Sequence, residues 1–148
     1  MFCYQCQETA KNTGCTIKGV CGKTEETANL QDLLIFALKG LSVYGEKANE
    51  LGVSIGDNGL FVTKAIFSTI TNANFDNDRL TALIQEALKR KESLKDTFLA
   101  AYKEKNGQDY TAPLPDSATW YAEDTAEFQE KAKTVGVLAT ENEDVRSL

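Results

Sequence analysis

Histidine is absent from the 148 residues. Its absence excludes Ser–His and Cys–His catalysis, imidazole-ligated zinc, and the side chain that most readily shuttles protons near neutral pH. Long apolar runs are missing too. No stretch approaches the roughly 18 apolar residues of a membrane span. Basic residues are outnumbered: 16 Lys+Arg face 22 Asp+Glu, for a net charge of −6. An acidic chain of pI 4.7 lacks the basic footprint that nucleic acid requires, so no nucleic-acid partner is expected. The sequence opens without the charged, apolar and small-residue regions of a secretion signal. A cytoplasmic protein that keeps its thiols reduced is therefore expected, with no membrane partner.

Cysteine is absent after position 21, and methionine after position 1. All four cysteines, Cys3, Cys6, Cys15 and Cys21, lie in the opening stretch MFCYQCQETAKNTGCTIKGVCGKT, spaced C-x2-C-x8-C-x5-C. Soft-ligand chemistry is thus confined to one short segment, and the remaining chain is its scaffold. Four clustered thiols suit two disulfides, one zinc ion or one iron–sulfur cluster. A reducing compartment disfavours the disulfides. Structural zinc sites commonly present two tight C-x2-C-like pairs, whereas only Cys3 and Cys6 form one here. A cubane is larger than a single ion and accepts a wider, less regular loop, so spacing favours iron–sulfur and leaves zinc open.

Charge supports a thiolate centre without choosing its metal. Residues 1–23 hold Lys11, Lys18 and Lys23 against Glu8, a balance of +2, so residues 24–148 carry −8 of the total −6. A locally basic loop suits any anionic thiolate site. Gly14, Gly19 and Gly22 allow close turns around it. Gly22-Lys23-Thr24 is not the end of a phosphate-binding loop, because the first glycine of that motif would fall on Ile17.

The opening stretch resembles the N-terminus of the hybrid cluster proteins, the prismane or hydroxylamine reductase family. The resemblance rests on Met1-Phe2-Cys3-Tyr4-Gln5-Cys6-Gln7-Glu8-Thr9, Gly14-Cys15 and Gly19-Val20-Cys21-Gly22-Lys23-Thr24. It continues through Leu30-Gln31-Asp32-Leu33-Leu34, Phe67-Ser68-Thr69, Asn72-Ala73-Asn74-Phe75 and Gly136-Val137-Leu138-Ala139-Thr140. It implies one 4Fe–4S cluster, with Cys3, Cys6, Cys15 and Cys21 as its cofactor-binding and metal-ligating residues. It implies a parent oxidoreductase that reduces hydroxylamine to ammonia and handles nitric oxide. Substrate chemistry in that family resembles work at a second, iron–sulfur–oxygen cluster held by cysteines, a histidine and glutamates. This chain has neither the histidine nor spare cysteines, so no catalytic residue is assigned to it. It would be the electron-entry module, with a redox protein as donor and the remainder of a longer parent as partner. The alternatives are a fragment of a related carbon monoxide dehydrogenase-like enzyme and a zinc-stabilised helical interaction domain.

The scaffold reads as all-α. Thr24 is an N-cap with Glu25 and Glu26 in the first turn, which the helix dipole favours. Leu30, Leu33, Leu34, Ala37, Leu38, Leu41, Tyr44, Ala48 and Leu51 then recur at three- and four-residue steps up to Gly52. A second helix is expected near 57–71 with Leu60, Ile66, Phe67 and Ile70 inward, and Phe75 stapling the turn after it. A third is expected at 78–105, with Leu80, Leu83, Ile84, Ala87, Leu88, Leu94 and Phe98 inward. Lys89, Arg90, Lys91 and Lys95 read as a solvated face that a redox partner could use. Gly107, Pro113 and Pro115 mark a loop, and a shorter helix is expected at 120–133 with Trp120, Tyr121, Phe128 and Ala132 in contact. The sum is an antiparallel bundle of three main helices plus a shorter one, the cysteine loop capping one end. The expected division is a cluster loop at 1–24, a bundle at 25–134, and at 135–148 the start of a second bundle that is cut short.

Overall fold

The computed structural model describes residues 1–3, 5, 6, 14–71, 73, 75–142, 144 and 145, and for Val137 the backbone alone. Among the described residues there are five α-helices and no strand beyond one isolated bridge. They are α1 (Glu25–Glu50), α2 (Asn58–Ile70), α3 (Asn77–Asn106), α4 (Asp116–Thr119) and α5 (Ala126–Val135), followed by a 3-10 turn at Val137–Ala139.

The protein is built around α1, which packs on each of the other helices and most extensively on α3. Its start follows from the residues: the Thr24 side chain accepts the Thr27 N–H at 3.2 Å, and the acidic pair lies in the first turn. Its leucine stripe is buried from Leu30 to Ala48. Leu30, Leu33, Leu34, Ala37 and Leu38 meet Leu80, Ile84, Ala87 and Leu88 of α3 and Phe128 and Ala132 of α5. Further along, Leu41, Tyr44 and Ala48 meet Leu94 and Phe98. Thr27 Oγ1 donates to Asn77 Oδ1 at 2.8 Å, which ties the starts of α1 and α3. The third helix is capped by Asp76, whose side chain accepts the Arg79 N–H, and ends at Gly107, which adopts the left-handed conformation at φ 70°.

Three expectations are corrected. The first concerns α2, which turns its other face inward. Ala65 and Thr69 are buried and Phe61 and Val62 half-buried, while Leu60, Phe67 and Ile70 are 57%, 63% and 59% exposed and Ile66 is exposed as well. Apolar residues occupy both faces of this helix, so periodicity alone cannot choose between them. Its anchors choose: Arg90 of α3 pairs with Asp57 at 2.7 Å and lies 4.7 Å from the Phe61 ring centroid. The small Ala65 side chain is buried in the core shared with α1 and α3.

The second concerns the charge run on α3. Lys89 is exposed, Arg90 and Lys95 are half-buried, and Lys91 is 0% exposed. The Lys91 ammonium donates to the Trp120 carbonyl and lies 3.6 Å from Glu92 Oε1. Burial lowers its pKa, with Glu92 acting in the opposite direction. Gly40 of α1 makes this junction possible, since a Cβ there would run into the Ser117 carbonyl of α4.

The third concerns the fourth helix. In place of one helix at 120–133 there are α4, an extended stretch and α5. Trp120 is extended at ψ 136°, its carbonyl held by Lys91, so the short helix cannot run on. Asp124 Oδ1 accepts the Ala126 N–H at 2.8 Å where helix resumes. Trp120 is an anchor between Phe36 and Phe128, with ring centroids 5.9 and 6.3 Å away, while Tyr121 is exposed.

The helix expected to open near the C-terminus falls partly outside the described residues; Asn142 Oδ1 accepts the Val145 N–H at 3.0 Å.

Candidate metal centre

The described part of the cysteine segment is folded by two backbone bonds. Phe2 N–H donates to the Cys15 carbonyl at 2.9 Å, and Cys15 N–H donates to the Cys3 carbonyl at 2.6 Å. Cys3 and Cys15 are therefore opposed in an antiparallel bridge. Gly14 enables the approach: its φ is 88°, and a Cβ there would collide with the Met1 side chain. Phe2, Cys15 and Ala28 form a small buried cluster with Cys3 against it, so the bridge rests on the first turns of α1.

Cys21 stands at the tip of a turn in which Gly22 N–H donates to the Gly19 carbonyl and Gly19 N–H to the Lys23 carbonyl, both at 2.8 Å. Its side chain is exposed, that of Cys6 is half-buried and that of Cys15 is buried; no disulfide joins any of the four. Among the described residues no three Cys, Asp or Glu side chains converge as a metal site. The structure thus opposes the backbones of two of the four expected ligands, Cys3 and Cys15, and brings no three of the four thiols together. Tyr4 and residues 7–13 lie outside the described residues.

The residues beside the thiols were not assigned a site role from sequence. Lys23 directly precedes the N-cap of α1 and is 1% exposed. Its Nζ donates to Gln5 Oε1 at 2.8 Å and lies 5.9 Å from the Phe75 ring centroid. Gln5, between the first two cysteines, donates in turn from Nε2 to the Thr69 carbonyl at 2.9 Å. That carbonyl is in the last turn of α2, where helix carbonyls lack an intrahelical partner. Cys3, Gln5, Lys23, Gln31, Asp32 and Thr69 line a cavity of about 210 Å³. Burial pushes the Asp32 carboxyl up to about 6, against the pull of Lys23 and Lys39. The available signal was Gln31-Asp32 inside the leucine stripe of α1: polar residues in a core-facing run need a local partner.

The donor set fits a thiolate-ligated cluster in type and charge. It offers four thiols, no competing imidazole and a buried cation at the same cavity as Cys3. Such a site can hold a soft metal centre. Glu25 and Glu26 are exposed in the first turn of α1, as dipole-compensating residues would be.

Residues 1–148 match the sequence model of the Prismane/CO dehydrogenase family. The chain is 64% identical over 148 residues to a hydroxylamine reductase of Nitratidesulfovibrio vulgaris strain Hildenborough and 55% identical over 148 residues to one of Halothermothrix orenii. It is 47% identical over 166 residues to one of Clostridium botulinum strain Loch Maree. All of this chain is covered in each case, but only 27%, 27% and 29% of those proteins, so it spans about a quarter of their length.

Proposed function

This chain belongs to the Prismane/CO dehydrogenase family, and from that membership we propose that it is the iron–sulfur electron-entry module of a hydroxylamine reductase. Cys3, Cys6, Cys15 and Cys21 would hold one 4Fe–4S cluster. The observation that carries this is the end-to-end match to proteins named hydroxylamine reductase in a chain whose only cysteines are four clustered thiols. When bound, the cluster supplies a one-electron carrier. The Cys3–Cys15 bridge would offer two of its ligands from adjacent backbone, and the buried Lys23 ammonium would favour anionic sulfur nearby.

Substrate reduction needs a second centre with an open coordination position. With no histidine and all four cysteines committed, this chain cannot supply the ligands that the family resemblance requires for one. The substrate site would lie in the remainder of the longer protein, with residues 135–148 opening its second bundle. Hydroxylamine reduction is favoured over carbon monoxide chemistry because the relatives above are all named hydroxylamine reductase. The electron donor would be a cytoplasmic redox protein.

The test is anaerobic reconstitution followed by iron and sulfide analysis and a visible absorption spectrum. About four iron and four sulfide per chain are expected, lost when the cysteines are replaced. A colourless protein that takes up one zinc and refuses iron would overturn the proposal. The loaded chain by itself should accept one electron from a low-potential dye and reduce hydroxylamine no faster than the dye does.

A further inference from the structure

The middle of the first cysteine pair is gripped from two sides. Gln5 accepts from the Lys23 ammonium through Oε1 at 2.8 Å and donates to the Thr69 carbonyl of α2 through Nε2 at 2.9 Å. Lys23 itself belongs to the turn that carries Cys21, since its carbonyl accepts the Gly19 N–H at 2.8 Å. One side chain therefore connects the Cys3–Cys6 segment, the Cys21 turn and, through Gln5, the end of α2.

The position is costly for an ammonium. Lys23 is 1% exposed, and a cation taken out of water must be offset by hydrogen bonds or opposite charge. The described partners are a neutral amide and an aromatic face. Asp32 lines the same cavity, and its carboxyl, pushed up to about 6 by burial against the pull of Lys23, adds a counter-charge above that pH. Cys3 lines the same cavity as this buried ammonium, so a thiolate centre formed there would meet a cation already held in place.

We infer that Lys23 is a positioning residue for the thiolate centre: it locks the Cys3–Cys6 segment through Gln5 and supplies the fixed positive charge beside the sulfur ligands. This rests on the electron-entry module proposed above. Two separable effects follow. The lock acts in the metal-free protein. The charge acts on a bound cluster, where it favours the reduced, more anionic state.

The experiment uses the full chain with Lys23→Met, Lys23→Arg and Gln5→Met, each first checked for unchanged helical circular dichroism. In metal-free protein, Lys23→Met and Gln5→Met should each speed amide exchange at Phe2 and Cys15, whose N–H groups form the bridge, by about tenfold or more. After anaerobic reconstitution, Lys23→Met should lower the reduced-to-oxidised ratio at a given potential about tenfold, equivalent to about 59 mV for one electron. Lys23→Arg should restore the potential. Gln5→Met should leave it near the unmodified value while still loosening the amides. Unchanged exchange in both Met variants, or a Lys23→Met cluster at the unmodified potential, would overturn the inference. If the unmodified chain takes up no iron and sulfide, the electron-entry role fails instead, and the metal-free exchange decides the lock alone.

Discussion

Replacing Asp32 by asparagine tests the electrostatics of the cavity in the metal-free protein. Burial raises the carboxyl from 3.8 to about 6, with Lys23 and Lys39 opposing. A folded-state pKa above the unfolded one means that the native state binds the proton more tightly. Asp32 therefore favours folding most below pH 3.8, and that contribution is lost as pH rises through about 6. The displacement corresponds to about 3 kcal/mol at most, and solvent reaching the half-buried carboxyl reduces it to about 1–3 kcal/mol. Asparagine keeps the shape and cannot ionise. Urea unfolding of both proteins from pH 4 to pH 8, in about half-unit steps, should give stabilities that agree near pH 4 and diverge with rising pH, Asp32→Asn becoming the more stable by about 1–3 kcal/mol. Other carboxylates, including Asp57, which Arg90 holds below its ordinary value, cancel in the difference. Parallel curves would refute the burial argument. Divergence toward acid, with the unmodified protein gaining on the variant as pH rises, would mean that Asp32 is ion-paired to Lys23 rather than desolvated.

Lys91→Met keeps the aliphatic stem but removes the ammonium from the Trp120 carbonyl; a loss of about 1–3 kcal/mol is expected in urea unfolding, and an equal or higher stability would show that burying the charge costs more than its bond returns. On α2, Phe67→Glu should change stability by less than about 0.5 kcal/mol, whereas Ala65→Leu should cost about 1–3 kcal/mol; the reverse order would restore the inward face expected from sequence. Replacing all four cysteines by serine should leave helical circular dichroism largely intact, since the leucine stripe of α1 packs on α3 and α5 without them; global unfolding would show that the thiol segment specifies the bundle.

Where a signal is local, the amino-acid sequence determined the outcome. The Thr24 cap, the leucine stripe and Gly52 bounded α1 to within a residue, because capping and 3.6-residue periodicity act over one or two turns. The long third helix followed for the same reason, starting one residue earlier than expected. The confinement of all four thiols to residues 3–21 and the lack of histidine were legible too, and they restrict the chemistry whatever the fold. Tertiary structure decided what depends on distant partners. The inward face of α2 was chosen by Arg90 on α3 and by Gln5, which bonds Thr69 across 64 positions. Lys91 sits in a run of charges that looks solvated, and it is buried only because the Trp120 carbonyl arrives above it. Lys23 and Asp32 are ordinary ions in the sequence; their roles come from desolvation, which depends on what covers them and not on their neighbours in the chain. Cys3 and Cys15 are 12 positions apart, and their opposition needs a backbone bridge closed by a left-handed glycine, a pairing that ligand spacing does not encode.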